Sequence, residues 1–418
     1  MRVSIESLEF DGSVLDKVEE IYEFRQSIEN PILHTQFVNK VREVVQKEAV
    51  EAIKNGPTNC IVAMATGAGK TKVAIDYAKT TFQHNQVLLV PTEKLRDQNW
   101  QEEYKKWDAE DLGNITEKYC YASANKVLHQ KFNVAILDEG HNITENNSKF
   151  FSNNLVLKAV LLTATVPDYN KDFEKYNLLK SLDFKVVYEL TLDQAVKLGF
   201  VAPYEIIVLK VPMNSKDKNI KAGTKQKPFM TTEVKGYEWK SQNVESAKYS
   251  PKINAKFAII NRMRFIYNLP SKFEAAKYLL ENKIPQNQRG LIFCSSIKQA
   301  DTLSEHSFHS KSSSESYQKF KEKEINRLSC VKSLNEGHNF DEVDYALIVQ
   351  LTSKEKDIIQ RLGRIIRMRA GHRAKAFILV SEGTQDEVWL QKATENLEQS
   401  SITYYDFNNI KKMKFYEN

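Results

Sequence analysis

Two short stretches carry residue types that could do chemistry on a phosphate. In "CIVAMATGAGKTKVAI", residues 60–75, an apolar run leads into a turn with Gly67 and Gly69, then into a helical pattern. Glycines there let backbone N–H groups point inward without a Cβ in the way, and the start of the helix adds partial positive charge. Lys70 could reach the terminal phosphates and Thr71 could offer a hydroxyl to Mg²⁺, with Thr66 and Ala68 completing the loop. In "VAILDEGHNIT" an apolar run ends in Asp138, Glu139, Gly140 and His141. A carboxylate at the end of a neighbouring parallel strand can hold Mg²⁺ opposite a phosphate loop, which suits Asp138. Glu139, one residue on, can orient and deprotonate a water molecule. His141 is better suited to contact with a second domain than to metal binding.

A third stretch, "QRLGRIIRMRAGHR" at residues 360–373, holds five arginines in fourteen positions. At about 100° per residue, Gln360, Arg364 and Arg367 fall within roughly 60° of one another, while Leu362, Ile365 and Ile366 lie opposite. One face is therefore apolar and the other groups a glutamine with two arginines. Arg361, Arg369 and Arg373 lie off that face, either as plain surface charge or as contacts to a polyanion.

These groups need a scaffold, and the hydrophobic pattern supplies one. From about residue 40, short apolar runs ("CIVAM", "VLLV", "VAIL", "AVLL") alternate with helical patterns ("VREVVQKEAVEAI", "KTKVAIDYAKTTF", "EKLRDQNWQEEYKKW"). A second series has "YEIIVLKV", "GLIFC", "YALIV" and "KAFILV". Both read as α/β domains with a mostly parallel sheet, whose ligand groups gather at the C-terminal ends of the strands. A length of 418 residues fits two domains of ordinary size. The expected divisions are a segment 1–30 of unassigned role, a first domain at 31–200 and a second at 201–418. Residues 214–250 are lysine-rich and weakly periodic, and read as an inserted or mobile loop, either solvated or touching nucleic acid.

Composition narrows the class without choosing the partner. No apolar run reaches the roughly 18 residues of a membrane span, and acidic residues in "MRVSIESLEFDGS" interrupt any signal-peptide pattern, so the expected place is the cytoplasm. Cys60, Cys120, Cys294 and Cys330 are too scattered for a zinc site or a disulfide framework. A net charge of +6 permits a polyanionic partner without requiring one.

Together, M-A-T-G-A-G-K-T, D-E-G-H and "LTATVP" (Leu162 to Pro167) resemble motifs I, II and III of superfamily 2 helicases of the D-E-x-H group. "VPTEKLRDQNW" is similar to motif Ia, "GLIFCSS" to motif IV and "LNEGHNFDEVDYALIV" to motif V, where Gly337 is kept but Asn339 and Asp341 depart from the usual aspartate and proline. Q-R-L-G-R-I-I-R matches motif VI at Gln360, Gly363, Arg364 and Arg367. "YELTLDQAVKLGFVAPYEI" points to the branch of type I and III restriction motors and XPB-like helicases, in which Gln46 sits where an adenine-recognising glutamine is common. The resemblance implies two tandem RecA-like domains with an ATP site in the cleft between them, and ATP and Mg²⁺ as cofactors. Lys70, Glu139, Arg364 and Arg367 would act on the phosphoryl group, with Gly337 and Gln360 at the nucleotide, and Thr163, Thr165 and His141 would couple turnover to movement. The partner it implies is nucleic acid, chiefly duplex or branched DNA in repair, recombination or restriction. RNA activation, a partner nuclease or recombination protein, and nucleotide-gated binding without unwinding remain open.

Overall fold

The computed structural model describes residues 12–81, 85–166, 168–170, 172–223, 226–249, 254–331, 342–351, 373–395 and 397–416. The chain divides into two compact units, Met1–Ala202 and Pro203–Asn418.

In the first unit, six strands form one parallel sheet: β1 (Asn59–Met64), β2 (Gln86–Val90), β3 (Glu117–Cys120), β4 (Val134–Leu137), β5 (Ala159–Thr163) and β6 (Lys185–Leu190). Their spatial order is β3-β2-β4-β5-β1-β6. The central strands are buried from Cys60 to Met64 and from Ala159 to Thr163, as the runs "CIVAM" and "AVLLT" require when both faces of a sheet are covered. Pairing of Ala63 with Thr163 and of Leu137 with Leu161 puts the C-terminal ends of β1, β5 and β4 side by side. Two helices precede β1: α1 (Val18–Gln26) and α2 (Pro31–Asn55). Asn30 caps α2 by accepting from the N–H groups of Ile32 and Leu33, and Pro31 occupies the first turn, where its missing N–H has no partner to lose. Phe37, Val38, Val41, Val45, Ala49 and Ile53 recur at helical spacing on its buried face. Residues before α2 belong to this packing: Arg25 is buried against Gly199, where an added Cβ would collide with its guanidinium.

The second unit is built on β7 (Tyr204–Val211), β10 (Gly290–Phe293), β11 (Ser307–Phe308), β12 (Arg327–Cys330), β13 (Tyr345–Ile348), β14 (Ala374–Ser381) and β15 (Ile402–Asp406). All pairs are parallel, in the order β11-β12-β10-β13-β14-β7-β15. Ile207, Leu209, Ile292, Leu347, Phe377 and Leu379 form the centre of one core layer. The four cysteines are buried and none forms a disulfide with a described residue.

Residues 214–250 differ from the expected loop. They contain an antiparallel hairpin, β8 (Ile220–Gly223) with β9 (Pro228–Thr231), followed by a 14-residue helix, Glu233–Ser246, capped by Thr232. Long-range bonds that composition cannot show hold this segment in place: Glu233 is fully buried and accepts from the N–H groups of Asn214 and Ser271. No described helix is long and apolar enough to cross a membrane.

Candidate nucleotide site

The loop after β1 has the backbone form that a phosphate cradle needs. Gly67 and Gly69 adopt φ of +90° and +99°, a region costly for residues with a Cβ. Gly69 caps α3 (Lys70–Thr80), so the free N–H groups of that helix open onto the loop. Gln46, buried on α2, donates from Nε2 to the Ala68 carbonyl at 3.3 Å and lies where an added Cβ on Gly69 would collide with it. The structure thus sets Gln46 against the loop's backbone. Lys70 folds its ammonium back onto the Met64 carbonyl at 2.9 Å. Thr66 and Thr71 are half-buried, at the start of the loop and in the first turn of α3.

At the end of β4, Asp138 is held from two sides. Its Oδ2 accepts from the Trp100 indole N–H at 2.8 Å and its Oδ1 from the Glu139 N–H at 2.9 Å. Burial, reinforced by the neighbouring Glu139 carboxylate, pushes the Asp138 carboxyl up to about 6, against the opposing pull of the Trp100 hydrogen bond and the Lys70 charge. Glu139 has a left-handed backbone, φ 47° and ψ 51°. Its Oε2 is shielded from solvent and accepts no hydrogen bond from the described residues. His141, buried beside it, places Nδ1 at 3.5 Å from that oxygen, too far for a strong hydrogen bond. The turn is pressed close by β5: an added Cβ on Gly140 would collide with Leu161. The Tyr121 hydroxyl donates to the Asp138 carbonyl at 2.9 Å and fixes the strand end from the other side.

Thr163, fully buried at the end of β5 between the two loops, donates to the Thr165 carbonyl at 2.8 Å and accepts from its N–H at 3.3 Å. Gln46, the Thr66–Thr71 loop, Asp138–His141, Thr163 and Thr165 thus belong to one unit and one edge of its sheet. Gly337, Asn339, Asp341, Gln360, Gly363, Arg364 and Arg367 lie outside the described residues, as do Arg361 and Arg369. Arg373 is described and exposed.

Two carboxylates in a shielded setting, one carrying an unbonded oxygen, fit a cation nearby, and Asp138 with the Thr71 hydroxyl supplies the hard oxygen donors such an ion takes. Trp100 and Tyr121 contribute to this site although neither was singled out by type or spacing. Trp100 ends "VPTEKLRDQNW" and reaches Asp138 across 38 positions, a pairing that only the fold reveals.

Comparison with known proteins agrees with this geometry. Residues 39–122 match the family model described as "Type III restriction enzyme, res subunit", and residues 271–369 match "Helicase conserved C-terminal domain". The first span contains the phosphate loop and Trp100, the second Gln360, Arg364 and Arg367. The DNA 3'-5' translocase XPB2 of Sulfurisphaera tokodaii is 24% identical over 370 residues, covering 82% of each chain. The fold is shared with S. cerevisiae Dbp5 bound to RNA and ADP BeF3, at TM-score 0.55 and 14% identity over 88% of this chain and 90% of that one. It is also shared with the ATP-dependent type ISP restriction-modification enzyme LlaBIII bound to DNA, at TM-score 0.53 and 14% identity over 86% of this chain and 30% of that one.

Proposed function

The chain is a superfamily 2 helicase-type ATPase of the restriction-motor and XPB-like branch, and from that premise we propose that it hydrolyses ATP to drive movement along DNA. The observation that carries the hydrolytic reading is the Glu139 Oε2, a shielded carboxylate oxygen that has no hydrogen-bond donor among the described residues, one residue from Asp138.

Each residue has a task in that reaction. Lys70 leaves the Met64 carbonyl for the terminal phosphates, and the N–H groups at the start of α3 hold the phosphate oxygens. Asp138 and Thr71 would hold Mg²⁺, which when bound neutralises charge on the phosphate oxygens. Glu139 accepts a proton from the attacking water as the new P–O bond forms and the bond to the β-phosphate oxygen breaks, giving ADP and phosphate. His141 and Asn142 flank Glu139 and limit the directions it can take; Asn142 Nδ2 donates to the Glu139 carbonyl at 3.2 Å. The resemblance assigns Arg364 and Arg367, with Gln360, to the charge that develops on the transferring group. It assigns Gly337 to the nucleotide site.

For coupling, we assign Thr163 and Thr165. The hydroxyl–backbone pair at the end of β5 sits beside both loops, so a change at the phosphate alters a turn that leads directly out of the sheet. DNA is the preferred track because the relative of similar length is named a DNA translocase. Duplex or branched DNA in repair, recombination or restriction is the expected setting, in the cytoplasm. The restriction-subunit match gives a second reading, a motor that serves a partner nuclease. Phosphate release measured with duplex DNA, single-stranded DNA and RNA tests the main reading. DNA should stimulate turnover, and stimulation by RNA alone would overturn it. Strand separation or translocation by the single chain would dispose of the need for a partner.

A further inference from the structure

The second unit carries a surface that ATP chemistry does not use. Residues 214–250 hold eight lysines against four carboxylates, a formal +4 within a chain of +6. They form an arm with a fixed root. At that root Glu233 accepts at 2.9 Å from the N–H of Asn214 and at 2.9 Å from that of Ser271, and the Tyr237 hydroxyl accepts from the Gln385 N–H at 2.9 Å. A fully buried carboxylate with several donors is a costly feature unless it fixes geometry, and here it ties the hairpin and its helix to the rest of the unit.

The arm holds aromatic and basic side chains outward. Phe229 is 58% exposed, Trp239 44% and Tyr249 86%. Lys216, Lys218, Lys221, Lys227 and Lys235 are exposed among them. The hairpin lies across the first turns of the Glu233–Ser246 helix, since a Cβ on Gly236 would meet Ile220 at 3.5 Å. Trp239 follows Gly236 by three residues, about one turn further along the same helix. The Phe229 ring lies across Gly223, where a Cβ would meet it at 2.9 Å. Lys240 stands over the Trp239 ring at 4.7 Å from its centroid.

Exposed apolar side chains alone would fit a protein partner. Flat rings interleaved with unbalanced lysines fit a strand whose bases stack and whose phosphates need neutralising. A duplex keeps its base faces covered, so the aromatic component selects unpaired strand. We propose that residues 214–223 and 226–249 form an accessory site for unpaired nucleic acid, with bases stacking on Phe229 and Trp239 and with Lys218, Lys221 and Lys227 neutralising phosphates. It works without ATP. The assignment rests on the motor reading only in preferring nucleic acid to another polyanion.

The test is fluorescence anisotropy of the full chain, without nucleotide, on labelled oligo-dT and on a blunt duplex of equal length across a salt series. Phe229→Ala with Trp239→Ala should weaken oligo-dT binding by about tenfold to a hundredfold and leave duplex affinity nearly unchanged. Lys218→Ala, Lys221→Ala and Lys227→Ala together should flatten the log–log salt dependence for oligo-dT by about 2. Both variants should melt with the wild type and keep its basal ATP turnover. Wild-type oligo-dT affinity in the aromatic variant would overturn the proposal, and so would an equal loss on oligo-dT and duplex, which would mark a backbone grip without stacking. A wild-type chain with no ATP turnover at all would defeat the motor reading and leave this binding result standing.

Discussion

Each unit buries an aspartate near the C-terminal end of its parallel sheet, and the two are treated in opposite ways. Asp386, past the end of β14, is paired with Lys272 at 2.6 Å, both side chains fully buried, and it also accepts from the Ser381 N–H at 3.0 Å. Its charge is balanced inside the protein. Asp138, past the end of β4, has neutral donors, the Trp100 and Glu139 N–H groups, and a second carboxylate next to it. Burial and that neighbour push it up to about 6. A protein that builds a buried ion pair in one sheet gives Asp138, among the described residues, only neutral hydrogen-bond donors at the equivalent edge of the other. On the proposed reading, the difference separates a structural acid from one set for a phosphate-bound cation.

The comparison can be broken most severely at Glu139. Glu139→Gln keeps size and hydrogen bonding but removes the base, and nucleic-acid-stimulated phosphate release should fall by about 10²–10⁴-fold. Melting should change little, because Glu139 Oε2 accepts no hydrogen bond from the described residues. In the second unit the order of effects reverses. Lys272→Met leaves Asp386 buried and unpaired, and should lower unfolding stability by about 3–5 kcal/mol, read by urea denaturation, with ATP affinity in the folded fraction unchanged.

Trp100→Phe tests whether the donor to Asp138 matters. The ring stays in the core, the hydrogen bond is lost at about 1.5–3 kcal/mol, and the Mg²⁺ concentration for half-maximal turnover should rise. The smallest effect belongs to the pair Lys272→Met with Asp386→Leu. Replacing a closed buried ion pair by apolar residues of similar size is near neutral, so this double variant should melt within a few degrees of the wild type. A double variant as damaged as Lys272→Met alone would mean that Asp386 acts beyond its partner.

How much of this was legible in the sequence depends on how local the cause is. Strands such as "CIVAM" and "VAIL" declare themselves because both faces are buried, which leaves no polar alternation to confuse the pattern. Lys70 with Thr71 and Asp138 with Glu139 are legible as candidates because each pair is written within a few residues, glycines, a lysine and a hydroxyl after one apolar run and two acids after another. The order of the described residues between 214 and 249 is hidden in the sequence because their lysines face water, while the order comes from one buried glutamate and from partners up to 148 positions away. Trp100 was hidden for the same reason. Gln46 was placed by resemblance at the adenine; its observed partner, the Ala68 carbonyl, could be known only once α2 was laid against the loop.

The central claim is that Asp138 and Glu139 divide the work, one toward the cation and one toward water. Single-turnover phosphate release from prebound ATP tests it most directly, comparing Glu139→Gln with the wild type at saturating Mg²⁺ and DNA. The account predicts that Glu139→Gln holds ATP at wild-type affinity and releases almost no phosphate. Phosphate release at the wild-type rate from that variant would contradict it.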